Sequence, residues 1–219
     1  MFNFDFEYII ATLISITAFL VSISCHEFAH GYVAYKLGDK TAKASGRLTL
    51  NPVKHFDLLS VLFFLLFGFG WAKGVPVNPN NFKEKKQGMV MTSIAGPLTN
   101  VLLAFLAAVA IQFFPDSVPF GGWRYYTLLY LYRFMWQLLS VNAMLAIFNL
   151  IPIPPLDGSK VFFSVLPDRT YYKILSYDHF MLIVLLVLVY TGVLDKLIMT
   201  GTNNLIDIIT NLAGKVVFF

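Results

Sequence analysis

The sequence predicts a membrane protein that is predominantly α-helical, with about four to six transmembrane or re-entrant helices and a short membrane-associated β element. Hydrophobic residues make up 58% of the 219 residues and charged residues 13%, and the mean hydropathy is +0.70. This composition is typical of membrane proteins. Several apolar runs approach the length of about 20 residues that spans a bilayer. We therefore expect one integral-membrane domain over residues 1–219, without a sizeable soluble domain.

The first predicted span runs from Phe6 to Tyr35 and has opposite charges at its two ends. Acidic Asp5 and Glu7 lie at its start. Five basic residues follow it closely: Lys36, Lys40, Lys43, Arg47 and Lys54. Because Lys and Arg mark cytoplasmic loops, we expect the N-terminus outside and the end of this span toward the cytoplasm. The N-terminus lacks the pattern of a cleaved secretory signal.

Two short segments without a helical period, Ala44–Asn51 and Ala72–Asn78, are predicted as strands or extended loops. Between them, Leu58–Trp71 is apolar but only about 14 residues long, under the usual spanning length, so we expect a re-entrant or interfacial segment. Strand edges cannot face lipid, so both extended segments should be covered by helices or line a water-filled cavity. Such an edge can pair with an extended peptide; an ordinary structured loop is the alternative.

Three further spans are predicted: Met89–Phe114, Leu128–Ile151 and Phe180–Leu194. The third span of the chain ends in a run of prolines, which breaks the helix and exposes backbone groups. The C-terminal segment Gly201–Phe219 mixes apolar and polar residues. It lies on the surface or forms a further short span, and we favour an interfacial helix.

The most informative motif is His26-Glu27-Phe28-Ala29-His30. Two histidines one helical turn apart can bind one zinc ion, and a carboxylate beside the first can reach a water on that metal. The pattern alone also occurs by chance, but here it lies in an apolar helix, where an ionisable group costs about 2.5–3.5 kcal/mol at the bilayer centre. It therefore indicates metal-assisted hydrolysis.

Cys25, about 100° around the helix from His26, is predicted to be a small residue that fills space in the core. A lone cysteine excludes an internal disulfide.

A catalytic zinc site usually has a third protein ligand and an open position. Asp157 is the favoured third ligand, because it follows a buried apolar helix whose end is broken by Pro152, Pro154 and Pro155. An aspartate at such a break lies where protein or water must satisfy the backbone. Five other candidates remain open: His55, Asp57, Asp168, Asp178 and His179.

Taken together, these motifs resemble the site-2 protease family of intramembrane zinc metalloproteases. The matching segments are His26–His30, Gly46–Pro52 with Asp57, Trp71–Pro79, Ala95–Pro97 with Asn100, and Asn149–Gly158. The chain is most similar to the compact bacterial subgroup without PDZ or CBS domains, which implies a single integral-membrane protease domain. Gly74 stands where many members carry proline, and Leu58 and Ser60 stand where proline and glycine are common. None of these departures touches a proposed ligand.

The resemblance implies one zinc ion per chain, held by three side chains: His26, His30 and Asp157. It also implies that Glu27 is the general base, and that Asn100 and Asn149 lie near the active site and support the substrate or the transition state. The expected reaction is hydrolysis of peptide bonds within transmembrane segments of membrane proteins, in which a helical substrate unwinds locally.

The expected partners are the lipid bilayer and transmembrane substrates such as anti-sigma factors, transcription-factor precursors or signal-peptide remnants. An upstream protease is a possible further partner, and no nucleic acid is expected. The resemblance and the charge pattern place the protein in the plasma membrane as a multi-pass protein with its active site toward the cytoplasm.

Two alternative functions stay open. A metal or proton transporter could use the same intramembrane residues, although no inverted repeat is visible; a non-cleaving scaffold would bind membrane helices.

Overall fold

The computed structural model describes residues 6–55, 73–115 and 120–217, and this part of the chain forms a bundle of helices. The helices are α1 (Phe6–Lys36), α2 (Thr41–Ala44), α3 (Lys85–Ile111), α4 (Gly122–Asn149), α5 (Asp157–Phe162), α6 (Asp168–Leu175), α7 (Asp178–Tyr190) and α8 (Asp195–Val217). Short 3₁₀ turns occur at Pro52–Lys54, Pro79–Asn81 and Phe163–Val165.

Helices α1, α3 and α4 are long and apolar enough to cross a membrane. They confirm the first three predicted spans, although α3 and α4 begin several residues before the predicted starts. At α3 the extra turn carries Lys85 and Lys86, whose long side chains can keep their charges in water while the helix continues. The predicted span Phe180–Leu194 corresponds to α7, which is apolar enough to form one broken span together with α6.

The predicted β element is not found in the described ranges, which contain no strand. Ala44 ends α2, and residues 45–50 form turns and bends. Residues 73–78 have no regular structure, and their hydrogen bonds go largely to side chains. The Arg47 guanidinium donates to the carbonyls of Lys73 and Gly74, so the chain is held without a partner strand. Ala72 and the predicted re-entrant segment Leu58–Trp71 lie outside the described residues.

Helix α8 packs against α3 and α4, and it is not among the helices of the described ranges that are long and apolar enough to cross a membrane. The interfacial position favoured from the sequence stays a prediction. Its buried residues Ile209 and Ala213 share an apolar cluster with Leu139 of α4 and with three alanines of α3: Ala104, Ala107 and Ala108. A methyl group at Gly201 would lie 2.9 Å from Ile147 of α4. Small residues let membrane helices approach closely. Polar residues on the exposed face, such as Asn204 and Asp207, conceal this packing in the sequence.

The end of α1 is tied to the chain before α3 by Asp39, whose side chain is fully buried. Its carboxylate accepts hydrogen bonds from the backbone N–H and the hydroxyl of Thr41, at 3.0 and 2.5 Å. It also accepts from the Asn78 backbone N–H and the Asn81 side chain, both at 2.7 Å. Burial raises the pKa of this carboxyl, but the hydrogen bonds outweigh it and hold the pKa below its usual value.

The Asp39→Asn substitution is expected to lower the free energy of unfolding at pH 7 by about 1–3 kcal/mol, since an amide replaces one accepting oxygen. Because the folded-state pKa is lowered, the carboxylate stabilises the protein above the unfolded pKa of about 3.9 and loses this effect as the pH falls through the folded pKa. Thermal unfolding in detergent between pH 7 and about pH 3 should therefore show a difference between wild type and variant that shrinks at low pH. Equal stability at pH 7 would contradict this role.

Candidate metal centre

His26, Glu27 and His30 lie in the second half of α1, and all three are buried in the interior of the bundle. The imidazole rings of His26 and His30 meet edge to face, with centroids 4.5 Å apart. Their Nε2 atoms are 2.9 Å apart. One turn of helix thus brings two nitrogen donors to a common point.

Asp157 reaches the same point from the first turn of α5, after the chain has folded back at the end of α4. Its Oδ2 atom lies 3.3 Å from Nε2 of His26 and 2.9 Å from Nε2 of His30. The next residue must be small, because a methyl group on Gly158 would lie 2.2 Å from the carbonyl oxygen of Leu150. The proline-broken connection therefore lets α5 begin in contact with the end of α4 and directs Asp157 toward the histidines.

The donor set fits zinc. Nδ1 of His30 is 2.7 Å from the carbonyl oxygen of Thr92, which only accepts, so Nδ1 carries the proton and Nε2 has a free lone pair. Nδ1 of His26 likewise lies 2.6 Å from Oδ1 of Asn100. Two basic nitrogens and a carboxylate oxygen therefore converge in a buried site, where a cation must compensate them. Two imidazoles and one carboxylate form one of the common ligand sets of catalytic zinc.

Helix α3 covers the two imidazoles with Gly96. A methyl group at this position would lie 2.5 Å from Cε1 of His26, 2.5 Å from Nε2 of His30 and 2.6 Å from Nε2 of His26. Contacts this short are not tolerated, and the atoms involved are those that would bind the metal. The glycine of the Ala95-Gly96-Pro97 motif is thus explained by the space that the histidine pair needs.

Glu27 is held beside the histidine pair by the chain before α3. Its Oε2 atom accepts a hydrogen bond from the backbone N–H of Val75 at 2.7 Å. The same stretch is fixed by Arg47, which donates to the carbonyls of Lys73 and Gly74. The carboxylate is therefore oriented by a main-chain donor, while its Oε1 atom makes no hydrogen bond within the described residues.

Lys160 forms an ion pair with Asp157, with Nζ 3.2 Å from Oδ1. The two carboxylate oxygens therefore have different partners, since Oδ2 faces the histidines and Oδ1 faces the ammonium group. This arrangement favours binding of a cation through one oxygen. Lys160 lies one turn of α5 after Asp157.

Of the two predicted asparagines, Asn100 lies against His26 and is fully buried. Asn149 donates to the Leu145 carbonyl of its own helix at 3.0 Å and has no contact with the histidines in the described part of the chain. A third asparagine, Asn142, contacts Asn100 and was missed by sequence reasoning. The sequence does point to Asn142, because it is a polar residue inside a membrane-spanning helix, seven positions before Asn149.

The alternative third ligands do not join the cluster of metal-binding groups found in the described residues, which is His26, His30 and Asp157. His55 is fully buried, with Nε2 at 2.7 Å from the Thr49 carbonyl. Asp168 pairs with Lys86 at 3.2 Å, and Asp178 begins α7. Asp57 and the side chain of His179 lie outside the described part of the chain.

The chain is similar to known proteins along most of its length. The family model described as Peptidase family M50 matches residues 14–191. The chain belongs to peptidase family M50. It is 40% identical to YwhC of Bacillus subtilis over 84% of this chain and 80% of that protein. It is 29% identical to Rip2 of Mycolicibacterium smegmatis over 87% of this chain and 71% of that protein.

YwhC and Rip2 both carry provisional zinc metalloprotease names. Zinc metalloprotease MJ0392 of Methanocaldococcus jannaschii is 28% identical over 68% of this chain and 33% of its own length. No solved structure matches the chain. The M50 membership confirms the resemblance to the site-2 proteases, and the chain is a membrane-embedded zinc metalloprotease. No relative favours a transporter.

Replacing Gly96 with Ala is expected to weaken zinc binding by at least about tenfold, because the added methyl group displaces the liganding imidazoles. Gly214→Ala is the matched control, since a methyl group there meets nothing within 4 Å. That variant should keep zinc and gain up to about 1 kcal/mol in stability from higher helix propensity. Zinc content after dialysis and thermal unfolding of both variants test this, and normal zinc binding by Gly96→Ala would contradict the geometry.

Proposed function

We propose that this M50 member hydrolyses peptide bonds within the transmembrane segments of other membrane proteins, with zinc held by His26, His30 and Asp157. The observation that supports this most strongly is the convergence of Nε2, Nε2 and Oδ2 within 3.3 Å in the interior of membrane-spanning helices. A site at this depth is suited to substrates that are themselves in the bilayer. The histidines come from α1, which is long and apolar enough to span the membrane.

When bound, zinc lowers the pKa of a water molecule toward about 7 and polarises a carbonyl group. Glu27 acts as the general base in this proposal: it takes a proton from the attacking water and passes it to the leaving amine. The Val75 N–H holds Oε2, so Oε1 is the oxygen free to accept that proton. Burial between helices limits the access of bulk water to the carboxylate.

The remaining residues have supporting roles. Lys160 compensates the second oxygen of Asp157, and Asn100 orients the ring of His26. Asn149 lies at the end of α4, shortly before the turn to Asp157, and its Oδ1 atom has no hydrogen bond in the described residues. It therefore remains the candidate for contact with the substrate or with the developing negative charge.

The chain before α3 offers a main-chain edge for an unwound substrate. In an extended chain, Val75 and Val77 direct their backbone groups to the same side, and the N–H of Val75 already meets Glu27. The N–H and C=O of Val77 make no hydrogen bond within the described residues. A substrate that pairs with Val77 would be held extended beside the base, as in β-strand addition.

The protein is proposed to lie in the plasma membrane with its N-terminus outside and its active site toward the cytoplasm, because basic residues cluster after α1 and before α3. Membrane-anchored anti-sigma factors, transcription-factor precursors and signal-peptide remnants are the proposed substrate classes, as the resemblance to the site-2 proteases implies. An upstream protease that shortens such substrates first fits the buried position of the site.

Glu27→Gln is expected to bind zinc like wild type but to lower kcat/KM for a reporter transmembrane substrate by about 10²–10⁴-fold, because the amide cannot accept the proton. Glu84→Gln is the matched control at an exposed carboxylate and should cleave normally. Cleavage by purified protein in liposomes and zinc content are measured together. Normal cleavage by Glu27→Gln would exclude this base, and substrate binding without cleavage by wild type would favour the scaffold.

Val77→Pro is expected to reduce cleavage by about tenfold or more while zinc binding stays normal, because proline has no N–H to pair with a substrate strand. Val77→Ala keeps the N–H but removes most of the side chain, so it separates main-chain pairing from side-chain packing. Rates of cleavage and zinc content are compared for both variants. Equal rates for the alanine and proline variants would refute strand addition at this residue.

A further inference from the structure

The side-chain amides of two buried asparagines connect His26 of α1 to a backbone carbonyl of α4 and to a serine of α1. Asn100 of α3 and Asn142 of α4 are both fully buried. Nδ2 of Asn100 donates to Oδ1 of Asn142 at 2.7 Å, and Oδ1 of Asn100 lies 2.6 Å from Nδ1 of His26. Nδ2 of Asn142 donates to the Leu138 carbonyl and to Oγ of Ser22, both at 2.8 Å. These contacts form an unbroken chain of hydrogen bonds ending at the imidazole.

The direction of this chain is fixed at the Asn142 end. The Leu138 carbonyl can only accept, so the Asn142 atom facing it must be the NH₂ group. The Ser22 hydroxyl donates to the Ala18 carbonyl at 2.7 Å and therefore also accepts from Asn142. Oδ1 of Asn142 is consequently the atom that faces Asn100.

The same logic continues to the histidine. An accepting oxygen on Asn142 requires the NH₂ group of Asn100, which places Oδ1 of Asn100 against His26. A ring nitrogen that faces an accepting oxygen must carry the proton. Nδ1 of His26 is therefore protonated, and the lone pair of Nε2 points toward His30 and Asp157.

We propose that Asn142 is a positioning residue that fixes the orientation of Asn100 and thereby the metal-binding tautomer of His26. The inference rests on the proposed zinc site and extends it beyond the residues that touch the metal. If the Asn100 amide reversed, its NH₂ group would face His26 and its oxygen would face the oxygen of Asn142. His26 would then need its proton on Nε2, where it would block metal binding.

His30 provides an internal comparison, because its tautomer is fixed differently. Its Nδ1 faces the backbone carbonyl of Thr92, which cannot reverse. Loss of Asn142 should therefore affect His26 and leave the tautomer of His30 unchanged. A general loosening of the bundle would affect both rings.

The first test is an NMR measurement of the histidine ring nitrogens in the metal-free protein. Only histidine is labelled with ¹⁵N. The chain has 4 histidines, so the spectrum is small enough to assign. Wild-type His26 should show a protonated Nδ1 and a bare Nε2, and Asn142→Ala should show a mixture of tautomers at His26 alone. A proton on Nε2 of wild-type His26, or an unchanged His26 in the variant, would overturn the proposal.

The second test is zinc affinity, measured by competition with a chelator. Asn142→Ala should bind zinc about 10–100-fold more weakly, because Asn100, the partner of a liganding histidine, is no longer held in its orientation. Ser22→Ala should stay within about threefold of wild type, because the Leu138 carbonyl still orients Asn142. Leu139→Ala removes a fully buried side chain from the same helix outside the relay and should also stay close to wild type. An equal loss in Leu139→Ala and Asn142→Ala would overturn the proposal.

A rescue variant separates positioning from packing. In the double variant Asn100→Asp with Asn142→Ala, both oxygens of the new carboxylate accept, so no orientation needs to be fixed. Zinc affinity should recover to within about tenfold of wild type, and affinity as low as in Asn142→Ala would overturn the proposal.

None of these measurements depends on cleavage of a substrate. If wild type fails to cleave or to bind zinc, the proposed function fails, while the tautomer of metal-free His26 still tests the relay.

Discussion

The structure depends on three donor atoms that converge where the surrounding helices are apolar. His26, His30 and Asp157 bring two imidazole nitrogens and a carboxylate oxygen to within 3.3 Å of one another. In water such groups would be hydrated separately. Inside a membrane bundle they are costly unless each is paired, so their position strongly constrains the helices that carry them.

Each neighbouring element can be understood from that constraint. Helix α3 has glycine at position 96 because the imidazoles occupy the space of a side chain, and Gly158 lets α5 contact the end of α4. Hydrogen bonds to Thr92 and Asn100 hold the two rings. Lys160 pairs with the outer oxygen of Asp157, and the Val75 N–H holds Glu27. These contacts tie the polar groups of the site to the helices and loops around it.

The sequence was most informative about features set by local patterns. Apolar runs predicted α1, α3 and α4, and the turn spacing of His26 and His30 predicted their shared face. The extended chain around residues 73–78 could not be distinguished from a strand, because Arg47 and Glu27 satisfy its backbone groups from distant positions. The packing of α8 depends on small residues whose partners lie on other helices. The role proposed for Asn142 depends on hydrogen bonds among three helices, and sequence spacing does not reveal such contacts.

The most direct test of the account is X-ray absorption spectroscopy of the zinc in the purified wild-type protein. The account predicts two imidazole ligands together with oxygen ligands, at about 2.0–2.2 Å, and no sulfur. A sulfur ligand near about 2.3 Å would place Cys25 on the metal, and three imidazoles would require a histidine other than His26 and His30. Either result would contradict the donor set on which the proposed mechanism rests.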